Sequence, residues 1–177
     1  MSLSLERLKD FYTVKGTQKV FDLLERCQGV KQLEEYHPEG DVFVHSLQTL
    51  MWAFRESDDV DLIWAALLHD IGKYENSKGH EQLAVGWLDE LVSVKTLWLI
   101  EQHMRVWAYI NGEMRRLGKC LELAGHPFLP ALVQLARWDI LGRNPHQLVK
   151  YDKKEIIDRF NQTVKNRFKE PEEKESE

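Results

Sequence analysis

Cysteine is scarce in this chain: there are two, Cys27 and Cys120, far apart and outside any CxxC pattern. That excludes a disulfide-dense scaffold and fits a reducing, cytoplasmic compartment, with both thiols read as small core residues beside leucine. Surplus positive charge is missing too. A net charge of −5 excludes a domain that coats nucleic-acid backbone nonspecifically, because such surfaces need clustered excess lysine and arginine. It leaves room for a nucleotide or a nucleic-acid end as substrate, since a metal site with a few local cations binds phosphate on an acidic protein. No apolar run approaches the length of a membrane span, and the opening Met-Ser-Leu-Ser-Leu-Glu-Arg-Leu lacks the apolar core of a signal peptide. Strand alternation bounded by hairpin signals is also lacking; Asn111-Gly112 is flanked by helix-like sequence.

What is present is a helical period. Val20, Leu23, Leu24 and Cys27 recur at i, i+3, i+4, i+7, as do Leu47, Leu50, Met51 and Phe54. Further stripes run through Leu83, Trp87, Leu88 and Leu91, through Leu129, Leu132, Leu135 and Ala136, and through Ile156, Phe160, Val164 and Phe168. The 177 residues, 43% apolar and 30% charged, suit one all-α domain with a real core. That domain is expected over residues 1–168, followed by a charged, flexible tail at 169–177. Breaks fall at His37–Asp41, where Asp41 can cap the next helix, at Glu56–Asp59, and at the polar stretch Lys73–Gly79. Two more fall at Gly125-His126-Pro127 and Gly142-Arg143-Asn144-Pro145.

Polar residues interrupt these stripes at particular places. His69-Asp70 lies in the apolar run Ala65–Lys73, with Ile63, Ala66, Asp70 and Lys73 on one helix face. A buried carboxylate costs several kcal/mol unless compensated, and the natural compensator beside an imidazole is a divalent cation. Asp139 interrupts the Leu132–Ala136 stripe, and His103 follows Leu99 and Ile100 toward the inside of its helix. His45 falls in the first turn after Asp41, and His80 opens the helix of Leu83 and Trp87. Imidazole suits zinc, iron, nickel, copper and manganese, while a carboxylate can bridge two ions. Such ions make hydroxide from water near neutral pH, and two of them about 3.5–4 Å apart hold both the attacking and the leaving oxygen of a phosphoryl group. The alternative is a helical bundle with six unrelated buried polar residues.

The order His45, His69-Asp70, Asp139 resembles the H…HD…D pattern of the HD-domain metal-dependent phosphohydrolases, which are all-helical. The flanking text is similar to the HD domain attached to bacterial CCA-adding tRNA nucleotidyltransferases. It comprises Tyr36–Leu47, His69-Asp70-Ile71-Gly72-Lys73, Gly79-His80-Glu81 and Arg137–Arg143, and the similarity runs over residues 30–145. The resemblance implies a compact HD-domain bundle in which His45, His69, Asp70 and Asp139 bind one divalent ion. His80 and His103 match the extra histidines of binuclear relatives, with Asp70 bridging. Mn, Fe, Co, Ni, Zn and Mg are not distinguished. The first 35 residues are too short for a nucleotidyltransferase domain, so only the phosphohydrolase activity carries over.

The resulting expectation is a hydrolase for phosphomonoester or phosphodiester bonds of nucleotides or RNA ends, acting through a metal-activated hydroxide. Its partners are then a small phosphorylated substrate, nucleotide or RNA end, with no membrane. The alternatives are triphosphate release from dNTPs or NTPs, and a non-catalytic, metal-stabilised nucleotide-binding module. Asp70 and Lys73 are the catalytic candidates. Lys73 is read as a phosphate contact, against the alternative of a helix-terminal cation. Arg143, four residues after Asp139, can pair with it or face substrate; Arg105 and Arg137 are similar, lesser cases. His37, His126 and His146, beside prolines, are read as loop histidines, and the tryptophans as core, with Trp107 and Trp138 the two nearest the ligands.

Overall fold

The computed structural model describes residues 14–167. Phe168 of the last stripe and the tail expected at 169–177 lie outside the described residues. Nine α-helices are present among them: α1 (Val14–Glu25), α2 (Val42–Glu56), α3 (Val60–Leu68), α4 (His80–Leu88), α5 (Val94–Gln102), α6 (Arg105–Ile110), α7 (Leu117–Ala124), α8 (Leu129–Leu141) and α9 (Lys153–Arg167). A short 3-10 helix, Ile71–Tyr74, lies between α3 and α4. The described residues contain no strand, only one antiparallel bridge between Lys31 and Asp41. The all-α expectation is met. No helix of the described residues is long and apolar enough to cross a membrane.

Side-chain caps set the starts of the central helices. Asp41 accepts a hydrogen bond from Val44 N at the head of α2, Asp59 accepts from Asp61 N and Leu62 N at α3, and Ser93 accepts from Thr96 N at α5. Each such cap is worth about 1 kcal/mol. Helix α3 is the hub. All of its residues but Asp61 are buried, and it packs on α2, α5, α8 and α9. Its sequence, Val-Asp-Leu-Ile-Trp-Ala-Ala-Leu-Leu, is apolar nearly all round, as a helix enclosed by others must be. The alanines Ala65 and Ala66 let neighbouring backbones approach, while Trp64 stacks on Phe160 of α9 with ring centroids 3.8 Å apart. Phe21 of α1 meets Trp64 edge-on, so the first and last helices belong to the same core.

Two expectations change. Helix α3 ends at Leu68, so His69 and Asp70 stand at and beyond its C-terminus rather than inside it, and Lys73 belongs to the 3-10 turn rather than to α3 or to a loop. The two cysteines also differ. Cys27 is fully buried, but Cys120 on α7 is partly exposed.

Burial pushes the Cys27 thiol up to about 12 from its ordinary value near 9. The folded chain therefore holds this proton more tightly than the unfolded chain. The stabilisation is complete below pH 9 and is lost as pH rises toward 12. Thermal melts followed by circular dichroism should show the midpoint falling by a few degrees between pH 8 and pH 11. Cys27→Ala should flatten part of that fall, and an unchanged slope would contradict the assignment.

Candidate metal centre

The chain folds so that six side chains converge where α2, α3, α4, α5 and α8 meet. His45 comes from the first turn of α2, placed there by the Asp41 cap. His69 and His103 are the C-terminal caps of α3 and α5. His80 is the first residue of α4, and Asp139 lies in the last turns of α8. Asp70 follows His69 with φ −105° and ψ 3°, a turn that swings its carboxylate away from the α3 axis and between the histidines. All six are buried.

The atoms fall into two groups that share one carboxylate. In the first, His45 Nε2 lies 3.2 Å from His69 Nε2 and 3.0 Å from Asp139 Oδ1. Asp70 Oδ2 stands 3.6 Å from His45 Nε2 and 3.5 Å from His69 Nε2. In the second, His80 Nε2 lies 3.0 Å from His103 Nε2, and Asp70 Oδ1 stands 3.0 and 3.5 Å from these two nitrogens. Each oxygen of Asp70 thus faces a different pair of imidazoles. Lys73 Nζ donates to Asp70 Oδ2 at 2.8 Å and to Gln32 Oε1 at 2.8 Å.

Every one of the four imidazoles is locked from behind. Nδ1 contacts a backbone carbonyl in each: Gly142 O for His45 at 2.9 Å, Ala66 O for His69 at 2.9 Å, Ser77 O for His80 at 2.8 Å and Ile100 O for His103 at 2.6 Å. A carbonyl oxygen only accepts, so Nδ1 carries a proton and Nε2 is the nitrogen left to face inward, as a lone pair toward a metal ion or as an N–H toward a carboxylate. Two such lone pairs at 3.0–3.2 Å repel unless a cation lies between them. The donor set, two imidazoles with one or two carboxylates, fits a divalent transition ion in each group. The groups of ligand-capable atoms His45–His69–Asp70 and Asp70–His80–His103 each gather within 4.8 Å.

The electrostatics point the same way. Burial works against the charged forms of Asp70 and Asp139, yet His69 and Lys73 hold Asp70, and His45 and His69 hold Asp139, well below the usual carboxylate range. Burial pushes His69 down. It opposes charge on His45 as well, but Asp139 and Glu39 outweigh it and raise that imidazole to about 10. His80 is raised likewise, by Asp70 against burial. The cluster is a negative field that attracts a proton or a metal ion.

Two glycines make the convergence possible. A Cβ at Gly72 would collide with the backbone carbonyl of His80, so only glycine lets the 3-10 turn lie against the start of α4. A Cβ at Gly142 would strike Thr49 Oγ1, and Gly142 is the residue whose carbonyl orients His45. Gln48, wholly buried, holds that corner by donating to Asn144 O and Gln147 O and accepting from Asn144 N. Gln48, Gly142 and the role of Gly72 escape sequence reading, because each matters only through a distant segment. Glu39 and His37 escape it too. The Glu39 side chain is buried with its Oε1 2.9 Å from both His37 Nδ1 and His45 Nδ1, so His37 is no bystander of the loop. The place of both in the His37–Asp41 break, just ahead of the helix that carries His45, was the one signal available.

Of the cations, Arg143 pairs with Asp139 through Nη2 at 3.1 Å to Oδ1 and Nε at 3.1 Å to the carbonyl. Arg137 is instead bound to Glu56 and Arg105 to Gln102, so neither joins the cluster. Trp138 is core and donates to Glu56.

The chain resembles known proteins over the segment that carries these six residues. The family model described as HD domain matches residues 42–144, from the head of α2 to the turn after α8. A multifunctional CCA protein of Methylococcus capsulatus is 38% identical over 81 residues, 42% of this chain and 19% of that protein. One from Thioalkalivibrio sulfidiphilus is 42% identical over 73 residues, covering 37% of this chain and 18% of its own length. One from Hahella chejuensis is 39% identical over 84 residues, 45% of this chain and 19% of that protein. The chain thus spans less than a fifth of the curated relatives it matches.

Gly72→Ala should separate the two groups. The added methyl pushes α4 away from Asp70, at a cost of about 1–3 kcal/mol. Metal analysis of the folded variant should show one equivalent lost while the His45–His69–Asp139 group keeps its ion. Two retained equivalents would contradict the shared-carboxylate geometry.

Proposed function

We propose that this chain, which belongs to the HD-domain family of metal-dependent phosphohydrolases, hydrolyses phosphomonoester or phosphodiester bonds of nucleotides or RNA ends. The observation that carries the proposal is Asp70, whose two oxygens face separate pairs of locked imidazoles. Divalent ions held there supply Lewis acidity toward a phosphoryl oxygen and ease deprotonation of water.

The chain's own residues do the rest. Asp70 joins the two groups and keeps their separation constant. Lys73, 13% exposed at the rim, offsets the charge of Asp70 and is placed to pair with a phosphoryl oxygen as negative charge develops. Arg143 holds Asp139 in register and sets a second cation beside the first group, where it complements a phosphate. Burial of the six ligands keeps bulk water from competing at the donor atoms. The likeness to CCA proteins supports a nucleotide or an RNA end over a protein-borne phosphate. The expected domain, residues 1–168, and a cytoplasmic location belong to the same proposal.

Purified protein should carry manganese, iron, cobalt, nickel or zinc by elemental analysis, and a phosphatase and phosphodiesterase panel with added Mn, Co, Ni and Mg should find turnover. Asp70→Ala should lose metal and turnover together. Lys73→Ala should keep its metal and turn over about 100-fold more slowly. Turnover retained in Asp70→Ala would sink the proposal. Release of tripolyphosphate from a nucleoside triphosphate would replace it with triphosphohydrolysis, and nucleotide binding without any turnover would replace it with a sensing module.

A further inference from the structure

On the Nδ1 side, three of the four inward-facing histidines have a backbone carbonyl as their one partner within hydrogen-bond distance; His45 alone also has a carboxylate there. Its Nδ1 lies 2.9 Å from Gly142 O and 2.9 Å from Glu39 Oε1. The nearest comparable contact is Glu81 with His80 Nδ1, longer at 3.7 Å and on a partly exposed side chain. Glu39 is wholly buried, and its Oε2 meets no donor among the described residues. Burial alone would make an ionised carboxylate there expensive, but its contacts with the Nδ1 atoms of His37 and His45 compensate it. The same contact acts on the His45 imidazole.

We propose that Glu39 is a positioning residue that strengthens His45 as a donor to the first ion, so that the two metal positions are unequal and the first fills before the second. A carboxylate behind a ligating imidazole fixes its tautomer and raises the basicity of the far nitrogen. His37 anchors the device: its Nδ1 donates to Glu39 Oε1 at 2.9 Å, and its ring meets the His45 ring edge-on at 5.0 Å. The same three residues also gather like a metal site of their own. That reading is weaker, because Gly142 O requires the proton on His45 Nδ1. The first group holds Asp139 and Asp70 Oδ2, each also paired with a cation, Arg143 and Lys73, and Glu39 adds a third carboxylate on that side. The second group has the other oxygen of Asp70, with Glu81 farther off at 3.7 Å. The inference rests on the metal-centre reading and is independent of the substrate.

The test is a titration of the EDTA-stripped full chain with Mn(II), followed by calorimetry and by the electron paramagnetic resonance of free Mn(II), with thermal melts of each metal-free form. Wild type should show a tight and a weak class. Glu39→Gln should weaken the tight class about 10- to 100-fold and leave the weak one in place. Its metal-free melting midpoint should stay within a few degrees of wild type, while the rise on adding Mn(II) shrinks. Glu39→Asp, which keeps the charge but retreats by one methylene, should fall between the two and serves if Glu39→Gln does not fold. Glu81→Gln should change neither class. An unchanged tight class in folded Glu39→Gln, or equal weakening of both classes, would overturn the inference alone. A lower metal-free midpoint with unchanged affinity would do the same, making Glu39 a packing residue. Wild type that binds no Mn(II) would overturn the metal centre with it.

Discussion

The buried carboxylate of Asp70 is the interaction on which the rest of this molecule is arranged. It touches four imidazoles and one ammonium, and it is buried from bulk solvent. Such a charge is tolerable only if every neighbour is placed by something rigid. The fold supplies that rigidity. Helix α3 is packed on four sides by α2, α5, α8 and α9, and its C-terminus delivers Asp70 to the point where three of those helices and the start of α4 bring histidine or aspartate. A helix that ended one turn later would carry the carboxylate along its own axis and away from His80 and His103.

Helix ends do the orienting. The last carbonyls of a helix lack intrahelical partners, and an imidazole at the terminus can satisfy one by reaching back to residue i−3. His69 does this with Ala66 O and His103 with Ile100 O; His80 uses Ser77 O from the turn before α4. The bond that completes a helix end therefore also fixes which nitrogen faces the cluster. His45, at a helix start, has no such carbonyl within its own turn. It borrows Gly142 O from the end of α8 and Glu39 from the preceding loop. This is why the Gln48 clamp on Asn144 and the close pass of Gly142 by Thr49 matter to a site neither side chain enters.

Much of the architecture was legible in the residue pattern. The stripes at Leu47–Phe54 and Leu129–Ala136 are helices α2 and α8, and the caps at Asp41 and Asp59 stand where the polar breaks predict. The six ligand candidates were legible too, as polar residues on apolar faces, and all six meet. The point where α3 stops was not, because Ala65–Lys73 keeps a helical period through the turn. Propensity does not report that the chain must bend for Asp70 to reach α4 and α5. Glu39 and His37 looked like loop residues because nothing local marks a side chain that folds under its own loop.

Sequence by itself determined the fold class, the six candidate donors and the family, since periodicity, residue chemistry and motif order are local properties of the chain. Tertiary structure decided how those donors divide into two groups around one carboxylate, which nitrogen each imidazole presents, and that of the four clustered imidazoles Glu39 backs His45 alone. Those outcomes depend on distances between segments up to a hundred residues apart, and such distances exist only after the helices have packed.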